Sequence, residues 1–204
     1  MVRVLVDFEA LQPTSHEQPD ERQAELCRQL GQALLAAKDP RIELRFLLPD
    51  PPPAELRHVS TTIAASRWRR ESAPRLARPS ASQAGFALWH ALHEETQHLP
   101  RDPSVPFVLT IHDLSFMRGQ EPARAMLWRL GKLQRKVDRA TRIATTSEQV
   151  AADIREYLDL RGKRVEVIGG GEGAPDEAAW LAMARQYLDL YQRLLGVAPV
   201  QRAA

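Results

Sequence analysis

The chain has 204 residues, with 44% apolar and 26% charged side chains and a net charge of +2. Length and composition fit one ordinary globular domain, or one domain with an extension, which buries roughly 70% of the surface its unfolded chain exposes and needs no staples to fold. The single cysteine, Cys27, excludes an intrachain disulfide, and no stretch reaches the roughly 18 consecutive apolar residues of a membrane span.

Residues 2–8 form a short β-rich run, read as a buried strand. That run is too short for a signal peptide and is broken by Asp7, so the expected compartment is the cytoplasm. A polar, proline-bearing loop follows through residues 12–20, and Pro19, Asp20 and Glu21 open a helical pattern carried by Leu26, Leu30, Ala33, Leu34 and Ala37. Cys27 falls within that pattern and reads as a buried, inert thiol. Ile42, Leu44, Phe46 and Leu48 alternate as one face of a second strand, ended by the prolines of residues 49–53. In residues 54–84, Leu56, Val59 and Ile63 suggest a short helix, and residues 69–82 read as loop.

Order returns with an apolar run at residues 85–90, then a strong strand from Phe107 to Ile111 that ends at His112 and Asp113. A helix over residues 122–138 follows, with Pro122 placed in its first turn. Residues 142–146 read as a strand, with Ser147 as the N-cap of a helix whose inner face is Val150, Ile154 and Leu158. Residues 164–168 form another strand, residues 169–175 a glycine-rich break, and Asp176 caps a last helix striped by Trp180, Ala184, Tyr187, Leu188, Tyr191 and Leu195. Short apolar strands alternating with helices predict an α/β fold, a Rossmann-like parallel sheet with helices on both faces. Ligands of such sheets bind beyond the carboxyl ends of the strands, which directs attention to residues 9–12, 90–93, 112–115, 147–148 and 169–171.

His112 is held at the sheet rim by the strand before it, where an imidazole can bond a substrate hydroxyl or shuttle a proton. The spacing leaves equally open a histidine bonded to a nearby carbonyl for structural reasons. His90, His93 and His98 match no strong zinc spacing, and polar loop residues facing a hydroxyl-rich ligand are the favoured reading over a metal site. The glycines at 169, 170, 171 and 173 lack a Gly-Lys-Ser/Thr sequence and the dinucleotide spacing, so they read as a flexible connector. No Gly-x-Ser-x-Gly elbow is present. No cofactor is expected.

Charge is uneven. Arg118, Arg124, Arg129, Lys132, Arg135, Lys136, Arg139 and Arg142 face only Glu121 and Asp138 within residues 118–142, and Arg67, Arg69, Arg70, Arg75 and Arg78 form a second basic run within residues 67–78. Such segments read either as solvated helix faces or as surfaces attracted to an anionic membrane or a phosphorylated glycolipid, placing the chain at the inner membrane as a peripheral protein. Aromatic residues are too sparse near them for a nucleic-acid surface.

Taken in order, these segments resemble family 4 glycosyltransferases of the GT-B fold. "FVLTIHDLSFM" (107–117) resembles the family's "vxTxHDlxf" segment, "VDRATRIATTSEQVAADI" (137–154) its "xdrAdxIixxSexxxxdl" segment, and "GKRVEVIGGG" (162–171) the strand ending "kixVIxNG". "ALWHALHEETQHLP" (87–100) resembles the preceding strand and loop, and "DEAAWLAMARQYLDLYQRLL" (176–195) the family's closing helix. The resemblance implies an acceptor-binding domain over residues 1–168, a glycine-rich hinge or deletion linker over 169–175, and a closing helix of the same domain over 176–197. By the same resemblance, a sugar passes from a nucleotide-sugar donor to a saccharide or glycolipid acceptor with retention and without a metal, as in lipopolysaccharide or surface-polysaccharide synthesis. His112 is then the catalytic candidate, with Gln12, His90, His93, Glu94, Asp113 and Ser147 as candidate acceptor contacts.

Two departures qualify the likeness. Residues 13–23 contain no glycine where the family has a glycine-rich turn after its first strand, and the donor domain, about 150 residues on ordinary domain size, is missing between the hinge strand and the closing helix. The expectation is therefore an acceptor-side half, inactive alone. A non-catalytic binding or interaction module is the alternative.

Overall fold

The computed structural model describes residues 1–8, 21–48, 62–64, 85–96, 98–100, 102–119, 122–169 and 176–197. Seven strands run through them: β1 (Val2–Asp7), β2 (Ile42–Leu48), β3 (Thr62–Ala64), β4 (Leu88–Ala91), β5 (Phe107–Thr110), β6 (Arg142–Thr145) and β7 (Val165–Val167). Four α-helices accompany them: α1 (Glu21–Ala37), α2 (Ala123–Arg139), α3 (Glu148–Tyr157) and α4 (Glu177–Leu195). A 3₁₀ turn, Ser115–Met117, follows β5.

The strands form one sheet in the order β3-β2-β1-β4-β5-β6-β7, and every pairing is parallel. The chain builds outward from β1 to β3, then returns to β1's other edge and builds the opposite way from β4 to β7. This is the doubly wound arrangement, and its reversal falls between β1 and β4. The α/β reading of the sequence therefore stands. One local expectation does not: Ile63, taken with Leu56 and Val59 as part of a helix, lies in β3, paired with Leu47. Leu56 and Val59 lie outside the described residues. Pro122 sits one position earlier than expected, as the N-cap of α2 with φ −55° and ψ 135°, outside the helical turn.

Period-two alternation along the strands divides the core into two layers. Val4, Val6, Leu88 and Val108 point to one face with Cys27, Leu30 and Leu34 of α1 and Met183, Ala184, Tyr187, Leu188 and Tyr191 of α4. Leu5, Trp89, Phe107, Leu109 and Ile143 point to the other, with Leu133 and Val137 of α2 and Ile154 of α3. Helices α2 and α3, which follow β5 and β6, thus both cover the second face. The first face over β4 and β5 is covered by α4, which lies beside α1. Cys27 is fully buried there, and desolvation pushes its thiol up to about 12, so it is inert as read from the sequence.

Local chemistry sets the ends of the C-terminal elements. Ser147 accepts a hydrogen bond from the Val150 amide at 3.2 Å, and Asp176 accepts one from Ala179 at 2.8 Å, capping α3 and α4. Helix α4 stops at Gly196, whose φ of 63° is the left-handed conformation glycine adopts without a Cβ clash. Just before that end, Gln192 donates to Asp39 at 2.5 Å, tying α4 to the turn between α1 and β2. No helix among the described residues is long and apolar enough to cross a membrane.

Candidate functional site at the carboxyl rim of the sheet

The reversal between β1 and β4 leaves a crevice at their carboxyl ends, since the chain departs in opposite directions from the two strands. Asp7 closes β1 there and is only 2% exposed. Its carboxylate accepts a hydrogen bond from Thr96 Oγ1 at 2.6 Å and lies 3.8 Å from His98 Nδ1. Thr96 also accepts from the His98 amide, so Asp7 anchors the loop that follows β4.

The same loop carries Leu92, His93 and Glu94. Glu94 is buried, and its Oε2 accepts from the His112 backbone N–H at 3.0 Å, joining the segment after β4 to the segment after β5. His112 Nε2 lies 2.6 Å from the Leu92 carbonyl, which can only accept, so Nε2 carries the proton in the neutral ring. Nδ1 is then the acceptor; it is shielded from solvent and has no hydrogen-bonding partner among the described residues. Desolvation lowers the His112 pKa, against an opposing pull from Glu94, so the ring is neutral near neutral pH. A buried acceptor without a donor costs about 1–3 kcal/mol. The His93 ring stands 5.7 Å from that of His112, its Nδ1 accepting from the Glu95 amide at 2.9 Å.

The candidate residues thus separate into groups. His112, His93 and Glu94 come together at the rim. Asp113 serves its own turn, accepting from the Ser115 amide at 2.7 Å and from the Ser115 hydroxyl. Ser147 caps α3. Gln12 lies outside the described residues. His90 is in the core: its Nδ1 lies 2.5 Å from the Tyr191 hydroxyl and its Nε2 2.7 Å from Thr110 Oγ1. Thr110 in turn lies 3.1 Å from the Tyr187 hydroxyl. Burial pushes His90 down to about 3, so the ring is neutral and serves helix α4. Sequence reasoning had grouped His90 with His93, but β4 ends at Ala91, so His90 points into the core from the strand while His93 stands in the loop beyond it. Asp7 was missed, although a carboxylate directly after a buried apolar run is the same signal that singled out His112. Among the described residues, no group of three His, Cys, Asp or Glu side chains is placed to hold a metal ion.

A cleft of about 250 Å³ opens beside this rim, lined by Glu95, Thr96, Leu99 and, from α2, Lys132, Arg135 and Lys136.

A sucrose-phosphate synthase structure from Thermosynechococcus elongatus superposes on this chain with a TM-score of 0.54 at 17% identity, over 94% of this chain and 98% of that one. At that identity the likeness speaks for the fold. No curated protein matches in sequence. Residues 19–171, from the lead-in to α1 through every strand after β1 to the glycine run, match the model of Glycosyltransferase Family 4. With that match spanning most of the chain and the GT-B-type half sheet beneath it, the protein belongs to glycosyltransferase family 4.

Proposed function

We propose that this chain is the acceptor-binding half of a retaining glycosyltransferase, one that transfers a sugar from a nucleotide sugar to a glycan or glycolipid acceptor, and that it is inactive alone. The observation that carries the reading is the position of α4. The family match ends at residue 171, and only residues 170–175 separate the last described residue after β7 from Asp176. Yet α4 packs back on the first sheet face and buries Tyr187 and Tyr191 completely. A donor-binding lobe inserted between residues 169 and 176 would leave this packing intact, because neither end of the gap lies within the core formed by α1 and α4.

In this reading the rim places His112, held by Leu92 and Glu94, beside the bound sugar. Transfer needs acceptor and activated donor held together with water excluded, and half of that enclosure is supplied by the missing lobe. A role in lipopolysaccharide or surface-polysaccharide assembly extends the same reading.

The test is a thermal-shift series with nucleotide sugars and acceptor oligosaccharides, followed by a transfer assay before and after a donor lobe is grafted between residues 169 and 176. The chain should respond to acceptors and little to nucleotide sugars, and should gain transfer only when grafted. Substantial transfer by the short chain, or a nucleotide-sugar response that exceeds every acceptor response, would refute the reading.

A further inference from the structure

We propose that Tyr187 and Tyr191 of α4 are positioning residues for the rim: through Thr110 and His90 they fix how the ends of β4 and β5 align, and with that the bond between His112 and the Leu92 carbonyl. The inference rests on the reading of His112 as the histidine beside the bound sugar, and adds the device that sets its ring.

The backbone alone leaves this alignment loose. The register between β4 and β5 runs only to the pair Ala91 and Leu109. Beyond it each strand is drawn to its outer neighbour. The Leu92 amide donates to the Asp7 carbonyl of β1 at 3.3 Å, and the Ile111 amide donates to the Ala144 carbonyl of β6 at 2.9 Å. Side chains make the ties across. His90, rooted in β4, reaches Thr110 of β5 at 2.7 Å. Two residues further along both segments, His112 reaches the Leu92 carbonyl at 2.6 Å. The first tie is thus the footing of the second, and any slip of β4 against β5 at His90 and Thr110 is carried on to Leu92 and His112.

Helix α4 holds that footing. The Tyr191 hydroxyl lies 2.5 Å from His90 Nδ1, and the Tyr187 hydroxyl 3.1 Å from Thr110 Oγ1. Four residues apart, the two tyrosines share one face of the helix, and their rings pack on the imidazole with centroids 5.6 and 4.8 Å from it. Apolar side chains would cover this sheet face as well, but they tolerate sliding. Hydrogen bonds of these lengths depend on distance and direction, and a buried network of them rigidifies the segments it joins. Helix α4 also begins directly after residues 170–175, where the donor lobe enters and leaves in the reading above. A shift of the helix on the sheet would reach His112 through two hydroxyls.

The experiment labels the histidines of the full chain with nitrogen-15 and follows the Nε2–H proton of His112, assigned by its loss in His112→Gln. Tyr191→Phe and Tyr187→Phe each remove one hydroxyl and keep the ring. Val137→Ala is the control, since it truncates a fully buried side chain on the opposite sheet face, outside the network. The chemical shift is read on the folded molecules, so a loss of overall stability does not move it. The resonance should move upfield, the direction of a longer hydrogen bond, in each tyrosine variant, and stay in place in Val137→Ala. A resonance unmoved in both tyrosine variants overturns the proposal. So does an equal shift in Val137→Ala, which would make the change a general loosening of the core. The readout needs neither sugar nor transfer. A tyrosine effect in a chain that binds no acceptor therefore supports the linkage while removing the acceptor-half reading, and acceptor binding with an unmoved resonance does the reverse.

Discussion

The Tyr191 hydroxyl lies 2.5 Å from His90 Nδ1, joining the closing helix to the fourth strand across 101 positions of sequence. His90 Nε2 passes the contact on to Thr110 of β5, and Tyr187 reaches that threonine from one turn earlier in α4. All four side chains are fully buried. In such a place a polar group that loses its partner pays for desolvation with nothing in return. Tyr191→Phe keeps the ring and removes the hydroxyl, leaving His90 Nδ1 unpaired. We expect a loss of about 1–3 kcal/mol in unfolding free energy, read by urea titration. A neutral result would mean that the hydrogen bond contributes nothing to holding α4.

The same pair sets an acid dependence. The groups facing His90 are Tyr191, Tyr187 and Thr110, with His112 adding a smaller repulsion. Its folded pKa of about 3 lies below the usual 6.5, so between those values the unfolded chain takes up a proton that the folded chain refuses. Stability from this group is full above about pH 6.5 and is lost progressively as pH falls toward 3. His112, whose pKa is also lowered, acts in the same direction. Unfolding midpoints measured across this window should fall with acid, and the slope should be shallower in His90→Gln. An identical slope in the variant would remove His90 from the account.

Gly169 follows β7 where the chain passes the end of β6. A Cβ there would stand 2.5 Å from the Thr146 carbonyl oxygen, and a backbone atom cannot turn aside as a side chain can. Gly169→Ala should destabilise the fold by about 1–3 kcal/mol, the usual cost of overpacking, measured as a lower midpoint with an unchanged denaturant slope. The contrasting case is Gly31 in α1, where the added methyl meets the edge of the Phe8 ring. That ring has torsions with which to adjust, so Gly31→Ala should cost less than Gly169→Ala. The reverse order would contradict the packing described.

Where a grafted donor lobe confers transfer, as proposed above, His112→Ala should lower it by about 100-fold or more, the scale of a positioned imidazole. The fold of the short chain should survive, since His112 belongs to the rim. Full transfer by the alanine variant would leave Nδ1 as a structural accident. Glu94→Gln retains an acceptor oxygen for the His112 amide, and should be milder in the same assay than Glu94→Ala.

Much of the architecture could be read from the chain because it is locally encoded. Alternating Ile42, Leu44, Phe46 and Leu48, the unbroken run from Phe107, and the caps Ser147 and Asp176 each carry their structure in a few adjacent residues. The place of His112 near the sheet rim was legible for the same reason: β5 ends at Thr110, two residues before it. Ile63 was misread because it falls at helical spacing from Leu56 and Val59, and only its pairing with Leu47 on a neighbouring strand shows that it is in β3.

Apart from β3, the sequence by itself determined which described segments are strands and helices, which of their faces are apolar, and that polar side chains stand at strand ends. Those properties depend on neighbours within one or two turns of the chain. Tertiary structure alone decided that His90 belongs to the closing helix while His93 and Glu94 stand beside His112, that Asp7 anchors the loop after β4, and that three cations of α2 share a cleft with Thr96. Each of these joins residues from different elements, and such a meeting is set by sheet order and helix docking, which no short stretch of sequence encodes.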